Sequence, residues 1–257
     1  MQAGKNKIII ANWKMNPLTS KEAEKLFQHI IKSVSLVKRT AIVICPPSLY
    51  LAKLRKFSRK ILLGAQDAFW GEGGPFTGEI SGEMVYNIGG RYVILGHSER
   101  RAGGETNGEV NKKIKASLTA GLRPILCVGE TMRDANHSYF NSVKNQLAEC
   151  LDGVKKDLIH KVVIAYEPVW AISSTPNRHD ATPADSLEMT IFIRKIISDK
   201  FGAEASKIRI VYGGSVSEKD AGDFFKNGGV DGLLAGKASL DAKKFIEIIK
   251  ICEASSR

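Results

Sequence analysis

A single closed (β/α)8 barrel, a member of the α/β class, is the architecture this sequence predicts, and three observations carry the prediction. Eight short aliphatic runs recur along 257 residues, each is continuously apolar rather than alternating, and amphipathic stretches separate them. Continuous runs are how strands buried on both faces of a parallel sheet read. Eight units leave about 32 residues each, the size of a βα repeat. No linker or low-complexity tract divides the chain, so residues 1–257 are expected to form one domain.

The runs can be taken in order. The first, Lys7–Asn12, holds Ile8, Ile9 and Ile10; the second, Thr40–Cys45, holds Ile42, Val43 and Ile44. Ile61, Leu62 and Leu63 make the third within Lys60–Gly64, and Val93, Ile94 and Leu95 the fourth within Tyr92–Gly96. The fifth is Pro124–Gly129, the sixth Lys161–Tyr166 with Val162, Val163 and Ile164, the seventh Ile208–Tyr212 and the eighth Asp231–Gly236. β-branched residues suit a pleated, buried surface, and the glycines and proline at the ends punctuate the runs. Between them, Thr19-x-x-Glu22 predicts a capping box, Thr182-Pro183 places proline at a first helical position, and Ser217-x-x-Asp220 predicts a further helix start.

A doubly wound open sheet is the competing architecture, and it normally carries a glycine-rich phosphate turn after the first strand. Here that turn is Asn12-Trp13-Lys14-Met15-Asn16-Pro17, without glycine. The segment Gly232 to Ala238 superficially suggests a P-loop, but it is one residue short and Ala238 stands where a hydroxyl would hold Mg²⁺. No nucleotide site is expected.

Composition narrows the function. Hydrophobic residues at 43% and charged residues at 25% exclude a disordered chain. No apolar run reaches the roughly 18 to 20 residues that span a bilayer, and no signal-peptide core follows Lys5 and Lys7, so a cytoplasmic protein without membrane contact is expected. Cys45, Cys127, Cys150 and Cys252 form no CxxC pair, so reduced, buried thiols are expected rather than metal ligands. The net charge of +11 admits nucleic acid or attraction of small anions. Basic residues are spread along the chain and not interleaved with aromatics, which make up only 7%, so nucleic acid is the weaker reading.

In such barrels reacting groups gather at the carboxyl ends of the strands. Asn12 and Lys14 follow the first run, His97 and Glu99 the fourth, Glu167 the sixth, Gly213-Gly214-Ser215 the seventh, and Gly236 ends the eighth. A lone lysine or histidine at such a place is ordinarily solvated or structural. Together on one rim they supply an acid, a base, a positive charge and an amide beside a phosphate cradle. Proton transfer on a small phosphorylated carbonyl compound is the reaction class this set suggests.

Asn12-Trp13-Lys14-Met15-Asn16, Phe76-Thr77-Gly78-Glu79, Gly96-His97-Ser98-Glu99-Arg100-Arg101, Ala165-Tyr166-Glu167-Pro168-Val169-Trp170-Ala171 and Tyr212-Gly213-Gly214-Ser215-Val216 resemble the motifs of the triosephosphate isomerase family, the type case of the TIM barrel. The resemblance runs from Lys7 to about Leu240. It implies interconversion of dihydroxyacetone phosphate and D-glyceraldehyde 3-phosphate, in glycolysis and gluconeogenesis, with no cofactor and no metal. Glu167 is then the general base, and His97, as a neutral imidazole, polarises the carbonyl and shuttles hydroxyl protons. Lys14 stabilises the enediolate, Asn12 holds substrate oxygen and lysine, and Glu99 hydrogen-bonds within the cluster. Main-chain amides around Ser215 and Gly236 would hold the phosphate, with a further amide from the lid at Ser173.

Departures from the family's pattern concern that grip. The lid reads Ser173 to Asp180, about three residues longer than usual and without glycine, and Lys237 replaces a second glycine after Gly236. The stretch from Ala102 to Glu105 is about one residue short. A non-catalytic sugar-phosphate-binding or partner-binding barrel with a divergent lid is the alternative function. The glycine-rich loop from Gly71 to Glu79, containing Thr77, implies a homodimer by the same resemblance.

Overall fold

A computed structural model describes residues 7–58, 60–172, 175 and 178–255. Eight strands, β1 (Lys7–Asn12), β2 (Thr40–Cys45), β3 (Leu62–Ala65), β4 (Tyr92–Leu95), β5 (Arg123–Val128), β6 (Val163–Tyr166), β7 (Arg209–Tyr212) and β8 (Gly232–Ala235), pair in sequence order and close into a barrel. All neighbours are parallel, and β1 pairs with both β2 and β8, Ile8 lying opposite Ala41 and Gly232. Each expected run coincides with a strand to within two residues at either end. The third begins two residues later than expected because pairing starts at Val43 with Leu62, while Lys60 turns its ammonium to the Ser35 carbonyl.

Nine helices are present among the described residues: α1 (Ser20–Ser33), α2 (Ser48–Arg55), α3 (Gly82–Asn87), α4 (Ser98–Ala102), α5 (Asn107–Thr119), α6 (Tyr139–Cys150), α7 (Pro183–Phe201), α8 (Ala221–Asn227) and α9 (Ala242–Ala254). Thr19 and Glu22 form the expected reciprocal box, as do Thr106 with Glu109 and Thr182 with Asp185, and Pro183 opens α7. The helix start expected at Ser217 differs. Asp220 Oδ1 accepts from Ser217 N at 2.7 Å and Ser217 Oγ accepts from Lys219 N at 3.2 Å, but α8 begins only at Ala221. Those bonds close a separate turn ahead of the helix. No described helix is long and apolar enough to cross a membrane.

Strand alternation sorts the buried residues into two cores. Ile9, Ala11, Ile42, Ile44, Leu126, Ile164 and Leu233 face the helices. Ile8, Ile10, Val43, Cys45, Ile94, Ile125, Cys127, Val163, Ala165, Val211 and Leu234 fill the barrel. Both faces are therefore dry, which is why the strands read as unbroken apolar runs. Each fully buried aliphatic side chain contributes roughly 1.5 to 3 kcal/mol. All four cysteines are buried thiols.

Candidate active site

The alternation that fills the barrel also decides what stands at its mouth. Ile8 and Ile10 point inward, so Asn12 is the next inward position of β1; Val163 and Ala165 point inward, so Glu167 is the next beyond β6. Both are buried, at 5% and 2% exposure. Inward positions beyond β5 and β7 are Gly129 and Gly213, and the reason is space. A Cβ on Gly129 would stand 1.9 Å from the Glu167 carbonyl oxygen, and one on Gly213 would stand 2.8 Å from Glu167 Cγ.

Lys14 is aimed by its backbone. It adopts φ 51°, a left-handed conformation unusual for a lysine. Asn12 Oδ1 accepts from Lys14 N at 3.0 Å, while Gln66 Nε2 donates to the carbonyls of Lys14 at 2.8 Å and Cys45 at 2.9 Å. With the turn held from both sides, the ammonium reaches Glu99 Oε1 at 2.6 Å.

His97 caps α4 with its ring. Glu99 N donates to Nδ1 at 3.2 Å, so the ring proton belongs on Nε2. Nε2 lies 3.4 Å from Glu167 Oε1. Ser98 N donates to Glu167 Oε2 at 3.4 Å, and Oε1 has no hydrogen-bond partner among the described residues. The carboxylate is thus buried yet loosely held. Beneath it the Cys127 thiol is pushed well above its ordinary pKa, first by burial and then by the Glu167 carboxylate, so it stays protonated against that carboxylate.

Across the mouth is a small cavity of about 40 Å³, lined by Asn12, Lys14, His97, Ile172, Gly213, Gly214, Ser215, Gly236 and Lys237, among others. Lys237 opens a short 3-10 turn and is exposed. The Ser215 amide donates to the Ala171 carbonyl at 3.1 Å in this conformation. Ser173 lies outside the described residues, as do Ser174, Pro176 and Asn177 of the expected lid. The structure thus gathers Asn12, Lys14, His97, Ser215, Gly236 and Lys237 around one cavity, with Glu99 in contact with Lys14 and Glu167 in contact with His97.

Comparison with known proteins follows the same outline. The triosephosphate isomerase family model matches residues 7–252. The chain belongs to the triosephosphate isomerase family. The triosephosphate isomerase of Dictyoglomus thermophilum is 44% identical over 251 residues, covering 96% of this chain and 99% of that one. That of Aquifex aeolicus is 43% identical over 248 residues, covering 95% and 98%. Among solved structures, the triosephosphate isomerase of Bartonella henselae is 35% identical and superposes with a TM-score of 0.84 over 96% of this chain and 98% of that one.

In this member of the triosephosphate isomerase family, two supporting residues escaped the sequence reading. Gln66 is one, an unremarkable amide after β3. Glu130 is the other: it is 1% exposed, and its Oε1 accepts from Tyr166 Oη at 2.8 Å and Trp170 Nε1 at 2.9 Å, while its carbonyl accepts from Val169 N at 2.9 Å. Burial, and then the Glu130 carboxylate, push the Tyr166 phenol far above its ordinary pKa, which keeps it a donor. The signal available for Glu130 was its place directly after Gly129 at a strand's carboxyl end.

Proposed function

We propose that the chain interconverts dihydroxyacetone phosphate and D-glyceraldehyde 3-phosphate by proton transfer through an enediolate, acting in the cytoplasm as a single-domain barrel without metal or organic cofactor. The observation that carries this reading is the 3.4 Å approach of His97 Nε2 to the Glu167 carboxylate beside the cavity. Glu167 takes the proton from the carbon next to the carbonyl and returns it to the neighbouring carbon. His97 donates Nε2–H to the carbonyl oxygen as charge develops and passes protons between the two oxygens. Lys14 and Asn12 stabilise that charge, and Glu99 keeps the lysine at the mouth. To act, Glu167 must turn away from Ser98 and His97 toward the substrate carbon, which its weak contacts allow. Amides of Ser215 and Gly236 hold the phosphate once the Ala171 carbonyl releases Ser215, with Lys237 adding charge; Ser173 would contribute from the lid. Four buried thiols suit a reducing compartment.

Turnover in a coupled assay, in both directions, is the test. Tight binding of a triose phosphate without turnover would favour the non-catalytic sugar-phosphate-binding barrel instead.

The protein is proposed to act as a homodimer through the loop from Gly71 to Glu79. Met15, Leu18 and Leu49 are 84%, 83% and 87% exposed, with Phe76 and Met84 also exposed, and all belong to the connections after the first three strands. Tyr50 Oη donates to the Pro17 carbonyl at 2.9 Å, which ties two of those connections together. Exposed apolar surface of this extent at one end calls for a partner. A recess of about 460 Å³ between Phe69, Glu99, Arg100, Glu105 and Lys113 offers room for a partner's loop. Sedimentation at micromolar concentration should show a dimer, and deleting the loop tip should leave a monomer.

A further inference from the structure

We propose that Arg133 is a positioning residue for Glu167, a guanidinium that locks the carboxyl end of β6 to the amino end of α7. This rests on the assignment of Glu167 as the base in the proposed function.

Arg133 lies three residues past Glu130 in the connection after β5. On one side its Nε donates to Glu130 Oε1 at 3.2 Å and its Nη2 to Tyr166 Oη at 3.3 Å, and its plane sits 5.4 Å from the centre of the Trp170 ring. Tyr166 directly precedes Glu167 and Trp170 follows three residues later. On the other side Nη1 donates to Asp185 Oδ1 at 2.8 Å and Glu188 Oε2 at 3.0 Å, and Nη2 to the Asp185 carbonyl at 3.3 Å. The second oxygen of Asp185 is already engaged, accepting from Thr182 N at 2.7 Å and Thr182 Oγ1 at 2.6 Å. One planar fork therefore spans the residues flanking the base and the capping box of α7.

Two physical arguments make this a matter of position rather than of bulk stability. Among the described residues, Glu167 itself meets only weak contacts, from Ser98 N at 3.4 Å, His97 Nε2 at 3.4 Å and the Cys127 thiol, so its place is set largely by the backbone around it and by how Tyr166 and Trp170 are anchored. Those anchors meet at Glu130, a carboxylate enclosed at 1% exposure with Asp185 and Glu188 bridged to it through Arg133. Without the guanidinium three carboxylates share one region uncompensated, and their repulsion acts on the β6 end. A lysine cannot replace the fork, because its point charge does not span partners on two sides. The Arg194 pair with Asp231, by contrast, does not touch the residues that flank Glu167.

The experiment is a double-mutant cycle of Arg133→Met and Glu167→Asp in the full chain, read as kcat and KM per folded protein. Solvent exchange of the Trp170 indole proton is followed alongside. With Glu167 intact, Arg133→Met should lower kcat between about tenfold and a hundredfold, the scale of a roughly 1 Å misplacement. KM should move by less than about threefold, since the phosphate end is untouched. With Glu167→Asp already displacing the carboxylate, the same change should cost less than about threefold, because groups acting on one event are not additive. Indole exchange should quicken, and Arg133→Lys should restore only part of kcat. Additive losses, or native kcat despite faster exchange, would overturn the proposal and leave Arg133 a scaffold residue. Should Arg133→Met not fold, Glu188→Gln, at an exposed outer contact, is carried through the same cycle: a smaller but non-additive loss supports the proposal and an additive one overturns it. An intact chain that does not isomerise triose phosphates defeats the proposed function, and this inference with it; an active intact chain with an unaffected Arg133→Met variant defeats this inference alone.

Discussion

The two ends of the barrel treat their carboxylates in opposite ways. At the amino end, Asp231 stands before β8 and accepts from Arg194 Nη2 at 2.9 Å and from Ile210 N at 2.9 Å. Glu253, near the end of α9, accepts from Lys38 N at 2.9 Å and from Arg39 N at 3.1 Å through both oxygens. Both are cross-links between distant segments, and their charge is consumed by protein donors. At the carboxyl end, Glu167 is more deeply buried and, among the described residues, has one oxygen without a hydrogen bond and one with a 3.4 Å contact. A buried acceptor left short of donors costs about 1 to 3 kcal/mol. A saturated carboxylate strengthens the scaffold, whereas an undersatisfied one remains available to a substrate proton, at the scaffold's expense.

Variants at the two ends should separate these roles, and the largest effect belongs to the mouth. Lys14→Met should lower kcat/KM by roughly 3 to 4 kcal/mol of transition-state stabilisation, the scale of one preorganised electrostatic group, with thermal unfolding little changed. A correctly folded variant with near-native kcat/KM would erase the distinction. Glu167→Asp comes next: withdrawing the carboxylate by about 1 Å should cut kcat on the order of a hundredfold, and stability should hold or rise. Native kcat together with unchanged exchange of solvent deuterium into product would refute the assignment of the base.

At the amino end the pattern should invert. Asp231→Ala strands the Ile210 amide and the Arg194 guanidinium, so unfolding free energy should fall by about 1 to 3 kcal/mol, while kcat stays at the parent value. A calorimetric scan paired with the assay checks both halves. The smallest effect is one of pH. Burial alone would raise the Glu253 pKa, but the amides of Lys38 and Arg39, with Thr40, more than offset it and hold the carboxyl below its ordinary value. A depressed folded pKa means that Glu253 contributes its stability above the unfolded value of about 4.3 and loses it as pH falls through the lower folded value. The parent should therefore lose stability on acidification below about pH 4.3 more steeply than Glu253→Gln does. Parallel acid limbs for the two proteins would show that this carboxylate does not act as a cross-link.

Much of the mouth was readable in the chain because it depends on short-range periodicity. Asn12 and Glu167 continue the inward parity of Ile8, Ile10 and Val163, Ala165, so a strand's own alternation places them. His97 and Glu99 follow from a strand running straight into a helix, where the ring caps the first turn. Gln66 was not readable, since its task is to bond the Lys14 and Cys45 carbonyls of two other connections. Arg133 was not readable either, because Asp185 is 52 residues away and reaches it only after β5, β6 and α7 are laid side by side.

By itself the sequence determined the number and order of strands, the double burial that makes them parallel, and the polar character of their carboxyl ends, since each follows from hydrophobic pattern over a few residues. Tertiary structure alone decided the left-handed turn that aims Lys14, the glycine-made space at Gly129 and Gly213 that admits Glu167, the bond that occupies the Ser215 amide, and the bracing of β6 against α7. These features depend on distances between segments far apart in the chain, and such distances exist only once the barrel has closed and its register has fixed which residues share a layer.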